Sequence, residues 1–154
     1  MVLVYLDYNC FQRGFDDPRQ TKVRMEAVAC EEIFARAERK DIKLVWSFMH
    51  QDENIVCPFV ERKIEVDRLS TICKKRVGPE NEILSLARDF QRKGKLASRD
   101  AVHIACAHYA GCMFFITCDE ILIKRAKRLN LDMNVINPVD YIMGVRDNED
   151  KSNR

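Results

Sequence analysis

Acidic residues stand where buried strands are predicted to end or where the next helices begin. These acids are Asp7, Glu53, Asp100 and Asp119. Carboxylates gathered within ~4–5 Å repel one another by about 1 kcal/mol or more per pair, even in a wet site. Such a cluster persists when a divalent cation neutralises it, and hard Mg²⁺ or Mn²⁺ prefers oxygen ligands. An acidic rim without supporting His or Cys ligands points to metal-assisted phosphodiester chemistry.

Short apolar runs separated by helical patterns must position these acids. Strands are predicted at residues 2–6, 42–46, 112–117 and 134–136, helices at 21–40, 47–56, 58–73, 80–90, 98–110 and 118–129, and breaks at 11–20 and 74–79. Continuous apolarity suits strands that are buried on both faces. The alternation predicts a three-layer α/β/α fold with a central, mainly parallel sheet. Right-handed crossovers then place the carboxyl ends of the strands at one edge, where the acids would meet.

Length and composition set the broad class. A chain of 154 residues fits one domain, predicted over 1–146, and the polar residues 147–154 are predicted to be a disordered tail. Apolar residues make up 47% and charged residues 32%, which excludes a disordered or fibrous chain. The net charge of +2 by itself predicts neither a nucleic acid nor a membrane as partner. No apolar run approaches the ~18 residues of a membrane span, and the first residues do not resemble a signal peptide.

The seven cysteines are odd in number and contain no CxxC pair. A disulfide framework usually has an even count, and a zinc site usually shows paired ligands. We interpret the cysteines as small buried hydrophobic residues in a reducing cytoplasm, in preference to a metal or redox role. The predicted localisation is therefore cytoplasmic.

Each acid also has a purely structural explanation. Asp7 would form an Asx turn, Asp100 would favour the helix dipole and Asp119 would cap a helix. Glu53 stands beside Asp52 and would be a solvated helix residue.

Five segments together resemble the PIN domain, the metal-dependent nuclease fold of VapC-type toxins. They are VYLDYN at 4–9, SFMHQDE at 47–53, SRDAVHIACA at 98–107, FFITCDE at 114–120 and NVINPVDYI at 134–142. The resemblance implies that Asp7, Glu53, Asp100 and Asp119 are the catalytic and metal-binding acids, with Asn9 and Thr117 as polar supports. Either Asp52 or Glu53 fits the family's second acid, and Glu53 is preferred because its six-residue spacing from Ser47 fits the family's usual interval.

The resemblance implies an endoribonuclease that uses Mg²⁺ or Mn²⁺ and is the toxin of a toxin–antitoxin system, with an antitoxin partner and a homodimer. Local positive charge is predicted to bind RNA at Arg92, Lys93, Lys95 and Arg99. His50 and His103 are interpreted as packed or hydrogen-bonded side chains.

Two alternatives remain at this point. A catalytically weak PIN-fold module would bind RNA or protein without cleavage. A phosphohydrolase of the haloacid dehalogenase type is disfavoured, since Asn9 stands where its second aspartate is required.

Overall fold

The computed structural model describes residues 1–144, so the predicted tail at 147–154 and the predicted domain end at 146 lie outside the described residues. The strands are β1 (Val2–Leu6), β2 (Ile42–Ser47), β3 (Lys75–Val77), β4 (Phe114–Ile116) and β5 (Asn134–Ile136). The helices are α1 (Tyr8–Gln12), α2 (Thr21–Glu38), α3 (Phe48–Ile55), α4 (Val60–Ser70), α5 (Asn81–Gly94), α6 (Ser98–Ala110) and α7 (Glu120–Ala126). Short 3₁₀ turns follow α1 and α7, and residues 138–144 are helical.

The strands form one parallel sheet in the order β3-β2-β1-β4-β5. β1 lies at the centre, with Val4 opposite Leu44 of β2 and opposite Phe114 of β4. The chain order changes direction at β1, since β2 and β3 extend the sheet to one side and β4 and β5 to the other. Ligands of such sheets bind in the crevice at the carboxyl end of this switch point.

Helices cover both faces of the sheet, which confirms the predicted three-layer α/β/α fold. Tyr5 and Phe115 point to the face packed by α5 and α6. Leu6 and Trp46 point to the opposite face, packed by α1, α2 and α4. Burying each large apolar side chain stabilises the fold by roughly 1.5–3 kcal/mol, and here both strand faces contribute.

The structure corrects two predicted breaks. Strand β3 lies within 74–79; it is an edge strand in which Lys75 and Arg76 are exposed and Val77 is buried. Charged residues are common on edge strands, and a strand that carries them lacks the continuous apolar run that predicts the other strands. Helix α1 and the following 3₁₀ turn occupy much of 11–20, because Asp7 caps a helix that begins directly after β1.

The seven cysteines are free thiols, and all except the half-buried Cys57 are buried. The interpretation as buried residues is therefore wrong for Cys57. Among residues 1–144, no helix combines the length and the apolarity needed to cross a membrane.

Candidate active site

A cavity of about 400 Å³ opens at the carboxyl edge of the sheet, and its lining includes all four predicted acids. We call it the acidic cleft; its polar lining includes Asp7, Asn9, Glu53, Arg99, Asp100 and Asp119. The acids arrive from different elements, since they follow β1, lie on α3, open α6 and precede α7. The structure thus gathers side chains that are far apart along the chain.

Asp7 is buried and is held by backbone and side-chain donors. Its Oδ1 accepts a hydrogen bond from the amide of Tyr8 at 2.8 Å, which caps α1. Its Oδ2 accepts from Thr117 Oγ1 at 2.8 Å and from Asn9 Nδ2 at 3.4 Å. Asn9 Nδ2 also lies 3.2 Å from Thr117 Oγ1. Asn9 and Thr117, the two predicted polar supports, therefore form a frame around one carboxylate oxygen of Asp7.

Asp119 is fixed by the start of α7. Its Oδ1 accepts hydrogen bonds from the amides of Ile121 and Leu122, at 3.0 and 3.1 Å. Its own amide donates to Thr117 Oγ1 at 3.1 Å, so Thr117 connects Asp119 to Asp7. The capping role considered from the sequence is present, and it coexists with a position in the acidic cleft.

Glu53 lines the cleft, whereas its neighbour Asp52 is exposed and is not part of that lining. A capping box fixes the start of helix α3. The Ser47 hydroxyl accepts a hydrogen bond from the backbone amide of His50, and the His50 side chain accepts one from the backbone amide of Ser47. Glu53 Oε1 accepts a hydrogen bond from His103 Nε2. Arg99 Nε lies 3.9 Å from the same oxygen. The six-residue interval from Ser47 therefore identifies the acid that faces the cavity.

A chain of buried hydrogen bonds continues behind Glu53, and we call its members Tyr5, Ser47, His50 and His103 the buried polar chain. The Tyr5 hydroxyl lies 2.6 Å from His103 Nδ1 and 2.7 Å from Ser47 Oγ. The Ser47 amide donates to His50 Nδ1 at 2.9 Å. His50 Nε2 must carry a proton, because its partner at 2.6 Å is the carbonyl oxygen of Leu6.

Partners that can only accept fix one proton on each histidine of this chain, at Nε2. Burial lowers the pKa of His50 well below its usual range, so this imidazole is neutral. A carboxylate accepts only, so His103 Nε2 carries a proton and donates it to Glu53. His103 Nδ1 shares a hydrogen bond with the Tyr5 hydroxyl. Both histidines are hydrogen-bonded, as the sequence predicted. The participation of Tyr5 was missed, since a tyrosine within an apolar strand gives no such signal.

Two acids of the cleft, Asp7 and Asp100, have a raised pKa, caused first by burial and then by neighbouring carboxylates. Burial raises the pKa of Asp7, and the opposing effects of His103 and the Thr117 hydrogen bond are smaller. Burial also raises the pKa of Asp100, and the negative charges of Asp7 and Asp119 raise it further. The cleft is therefore a site of unfavourable negative charge that a cation would relieve.

The donor set fits a hard divalent cation. All four acids offer oxygen atoms, which suit Mg²⁺ and Mn²⁺. Within residues 1–144, no three of these carboxylates bring oxygens within 4.8 Å of one another. Mg²⁺ usually keeps several waters and binds only one or two protein carboxylates directly, so it does not require three of them at that separation.

Of the four basic residues predicted to bind RNA, Arg99 lies in the lining of the cleft. Arg92 and Lys93 pair with Asp89 on α5, at 2.8 and 3.0 Å. Lys95 ends that helix in a left-handed conformation, with φ of 54°. The lining also contains side chains that the sequence did not single out, namely Tyr8, Gln12, Val56, Cys57, Pro58 and Phe59.

The fold and the cleft together define an α/β protein with a carboxylate site at the switch point of a parallel sheet. The chain belongs to the PIN domain family: the family model matches residues 23–129. The matched range includes Glu53, Asp100 and Asp119, and Asp7 precedes it. No protein of curated function matches the sequence.

Solved structures share the fold over most of the chain. FitAcB from Neisseria gonorrhoeae has a TM-score of 0.58 at 15% identity, covering 88% of this chain and 97% of that one. VapBC-1 from nontypeable Haemophilus influenzae has a TM-score of 0.57 at 16% identity, covering 89% and 98%. VapBC2 from Rickettsia felis, solved with a DNA fragment from its promoter, has a TM-score of 0.59 at 10% identity, covering 88% and 98%.

Proposed function

We propose that the chain is an endoribonuclease that hydrolyses phosphodiester bonds of RNA with Mg²⁺ or Mn²⁺. The observation that carries the proposal is the convergence of Asp7, Glu53, Asp100 and Asp119 on one cleft of about 400 Å³. Membership of the PIN domain family supports it. The raised pKa of Asp100 also supports it, because burial and the charges of Asp7 and Asp119 disfavour its ionised form, and a bound cation would offset that effect.

Asp7, Glu53 and Asp100 would hold the metal directly or through water, and Asp119 would complete the site or orient the attacking water. When bound, the ion lowers the pKa of a coordinated water and offsets negative charge on the scissile phosphate. Thr117 and Asn9 hold the Asp7 carboxylate in a fixed orientation, because both donate hydrogen bonds to its Oδ2. His103 holds Glu53 through one proton donor, so that the carboxylate stays in a fixed position.

RNA would be positioned by the remaining lining of the cleft. Arg99 supplies positive charge beside Glu53 and suits a phosphate contact. Phe59 is 59% exposed and lies in the same lining, where an unpaired base would stack on its ring. Arg62 lies over that ring, with its guanidinium carbon 5.1 Å from the centroid.

We also propose that the chain is the toxin of a toxin–antitoxin pair, binds an antitoxin protein and forms a homodimer. This part rests on the VapC-type resemblance of the sequence and on the fold shared with two VapBC structures. Expression of the wild type should arrest growth and break cellular RNA. Expression of Asp7→Asn should do neither, and arrest by both forms would contradict the toxin proposal.

The direct test is RNA cleavage by the purified chain with Mg²⁺, with Mn²⁺ and with EDTA. We expect cleavage only with metal, and a loss of about 100-fold or more in Asp7→Asn, since changes beside metal ligands already cost 10- to 100-fold. The exposed acid Asp132 provides the control variant Asp132→Asn, which should cleave as the wild type does. Equal cleavage in EDTA would overturn the metal-dependent mechanism. RNA binding without cleavage in any metal would support the catalytically weak module instead.

A further inference from the structure

Three buried cysteines from different elements meet outside the lining of the acidic cleft. Cys10 lies on α1, Cys30 lies on α2 and Cys118 lies between β4 and α7. Their sulfur atoms all lie within 4.8 Å of one another. The three residues are 2%, 3% and 7% exposed, respectively. We call them the thiol cluster.

A second cavity leads to this cluster. It has a volume of about 440 Å³ and lies between α1, α2 and α4, with Cys10 and Cys30 in its lining. Three glutamates and one arginine also line it, namely Glu31, Glu38, Glu65 and Arg68. A lining with more carboxylates than guanidinium groups attracts cations and raises their local concentration. Two of the three thiols therefore border a space that a small cation could enter.

The chemistry of sulfur decides which cation fits. Thiolates are soft ligands that select Zn²⁺ and Cu⁺, whereas the carboxylates of the acidic cleft select hard ions. We propose that Cys10, Cys30 and Cys118 form a binding site for one soft, thiophilic metal ion, held by three thiolates. Binding releases the thiol protons to solvent as the sulfur–metal bonds form, and no oxidant or reductant is needed.

The thiol cluster is connected to the frame that holds Asp7. The Cys10 thiol donates to Asn9 Oδ1 at 3.4 Å, and the amide of Cys118 donates to the same oxygen at 3.2 Å. Asn9 Nδ2 in turn contacts Asp7 and Thr117. A thiolate bound to a metal has no proton to donate, so filling the site removes one of the bonds that orient Asn9.

The test titrates the reduced, metal-free full chain with Cd²⁺ and follows the ultraviolet charge-transfer absorption of cadmium–thiolate bonds. We expect saturation at one Cd²⁺ per chain, and displacement by Zn²⁺ or Cu⁺ identifies the preferred ion. Cys30→Ala should weaken binding about 100-fold or more, because even outer-shell changes at metal sites cost 10- to 100-fold. Cys73 is buried at 2% exposure outside the cluster, so Cys73→Ala is the matched control and should bind as the wild type does.

Two further experiments distinguish metal binding at the thiol cluster from binding at the acidic cleft and from a loss of folding in the variants. Asp7→Asn should retain the full charge-transfer signal, even if the proposed nuclease activity is lost or was never present. In the unmodified chain, Zn²⁺ should protect Cys10 and Cys30 from alkylation, as read by peptide mass spectrometry, and should leave Cys57 reactive. The proposal is wrong if no one-to-one signal forms, if Cys30→Ala retains it, or if Cys10 and Cys30 react equally fast with and without Zn²⁺.

Discussion

The two walls of the acidic cleft hold their carboxylates by different means. On the wall formed by β1 and β4, Asp7 and Asp119 each accept backbone amide hydrogen bonds from residues one to three positions later in the chain. On the wall formed by α3 and α6, Glu53 depends on His103, a residue from a distant helix that is itself held by Tyr5. The first wall is organised locally by strand ends and helix starts. The second exists only once the whole α/β core has formed.

This difference makes the two walls vulnerable to different changes. Conservative replacement of an acid on the β1 and β4 wall leaves its backbone partners intact. It should therefore remove the negative charge needed for the proposed activity without destabilising the fold. A change on the α3 and α6 wall can displace Glu53 without touching it. The predictions below separate these two modes, beginning with the largest expected effect.

Replacement of Glu53 by glutamine should lower RNA cleavage about 100-fold or more, since it removes one charge from the proposed metal site. Asp52→Asn should leave cleavage unchanged, because Asp52 is exposed and outside the cleft lining. Cleavage rates at saturating metal and RNA measure both. A larger loss in Asp52→Asn than in Glu53→Gln would show that Asp52, and not Glu53, is the second acid of the site.

Replacement of His103 by phenylalanine should lower cleavage roughly 10- to 100-fold and raise the metal concentration needed for half-maximal activity. It should also destabilise the fold by about 1–3 kcal/mol, because the buried Tyr5 hydroxyl loses one of its two hydrogen-bond partners. Urea unfolding measures the second effect. His108 is exposed on the same helix, so His108→Gln serves as the control. His103→Gln, which can still donate to Glu53, should recover part of the activity, and the absence of any recovery would make the role of His103 one of packing.

Replacement of Arg99 by glutamine should weaken RNA binding several-fold and reduce the slope of log affinity against log salt by about 0.7, the value for one phosphate contact on a single strand. Arg92→Gln should have a smaller effect, because Arg92 is paired with Asp89 outside the cleft. Binding isotherms at several salt concentrations measure this difference. Equal effects of both changes would extend the RNA-binding surface to the end of α5.

Replacement of Asp100 by asparagine should have a small effect of opposite sign on stability: it should raise the unfolding temperature of the metal-free protein by roughly 1–3 °C. Burial and the charges of Asp7 and Asp119 raise the pKa of Asp100 in the folded state, so its ionised form destabilises the fold. The stability difference from wild type should be largest at neutral pH. It should disappear as the pH falls through the raised folded pKa toward the unfolded value.

Thermal unfolding from neutral to acidic pH checks this sign. Added Mg²⁺ should stabilise the wild type more than the variant, since an ion that binds the folded state shifts the unfolding equilibrium. A variant that is less stable than wild type at neutral pH would show that Asp100 contributes favourable contacts that outweigh the repulsion.

The sequence predicts the β1 and β4 wall well, for a physical reason. Strand ends and helix caps are local features, so Asp7 and Asp119 can be located from neighbouring residues, whereas Asn9 and Thr117 were added by the resemblance to the PIN domain. The α/β architecture follows in the same way from apolar runs. Strand β3 was missed because its exposed Lys75 and Arg76 carry no apolar signal.

The contacts of the α3 and α6 wall cannot be predicted from local sequence, because they join residues that are distant in the chain. The spacing from Ser47 favoured Glu53, but no local pattern connects Tyr5 to His103 across the core. The thiol cluster shows the same limit, since three isolated cysteines without a CxxC pair reveal their proximity only in the folded chain.

The central position of β1 has a consequence for how the protein would lose activity on heating. Tyr5 and Asp7 lie at the carboxyl end of this strand, which is paired on both sides and contains fully buried residues. Amide protons of such a strand exchange with deuterium mainly through global opening of the molecule. The two walls should therefore fail together at the main unfolding transition, with no earlier, inactive state in which the rest of the fold persists.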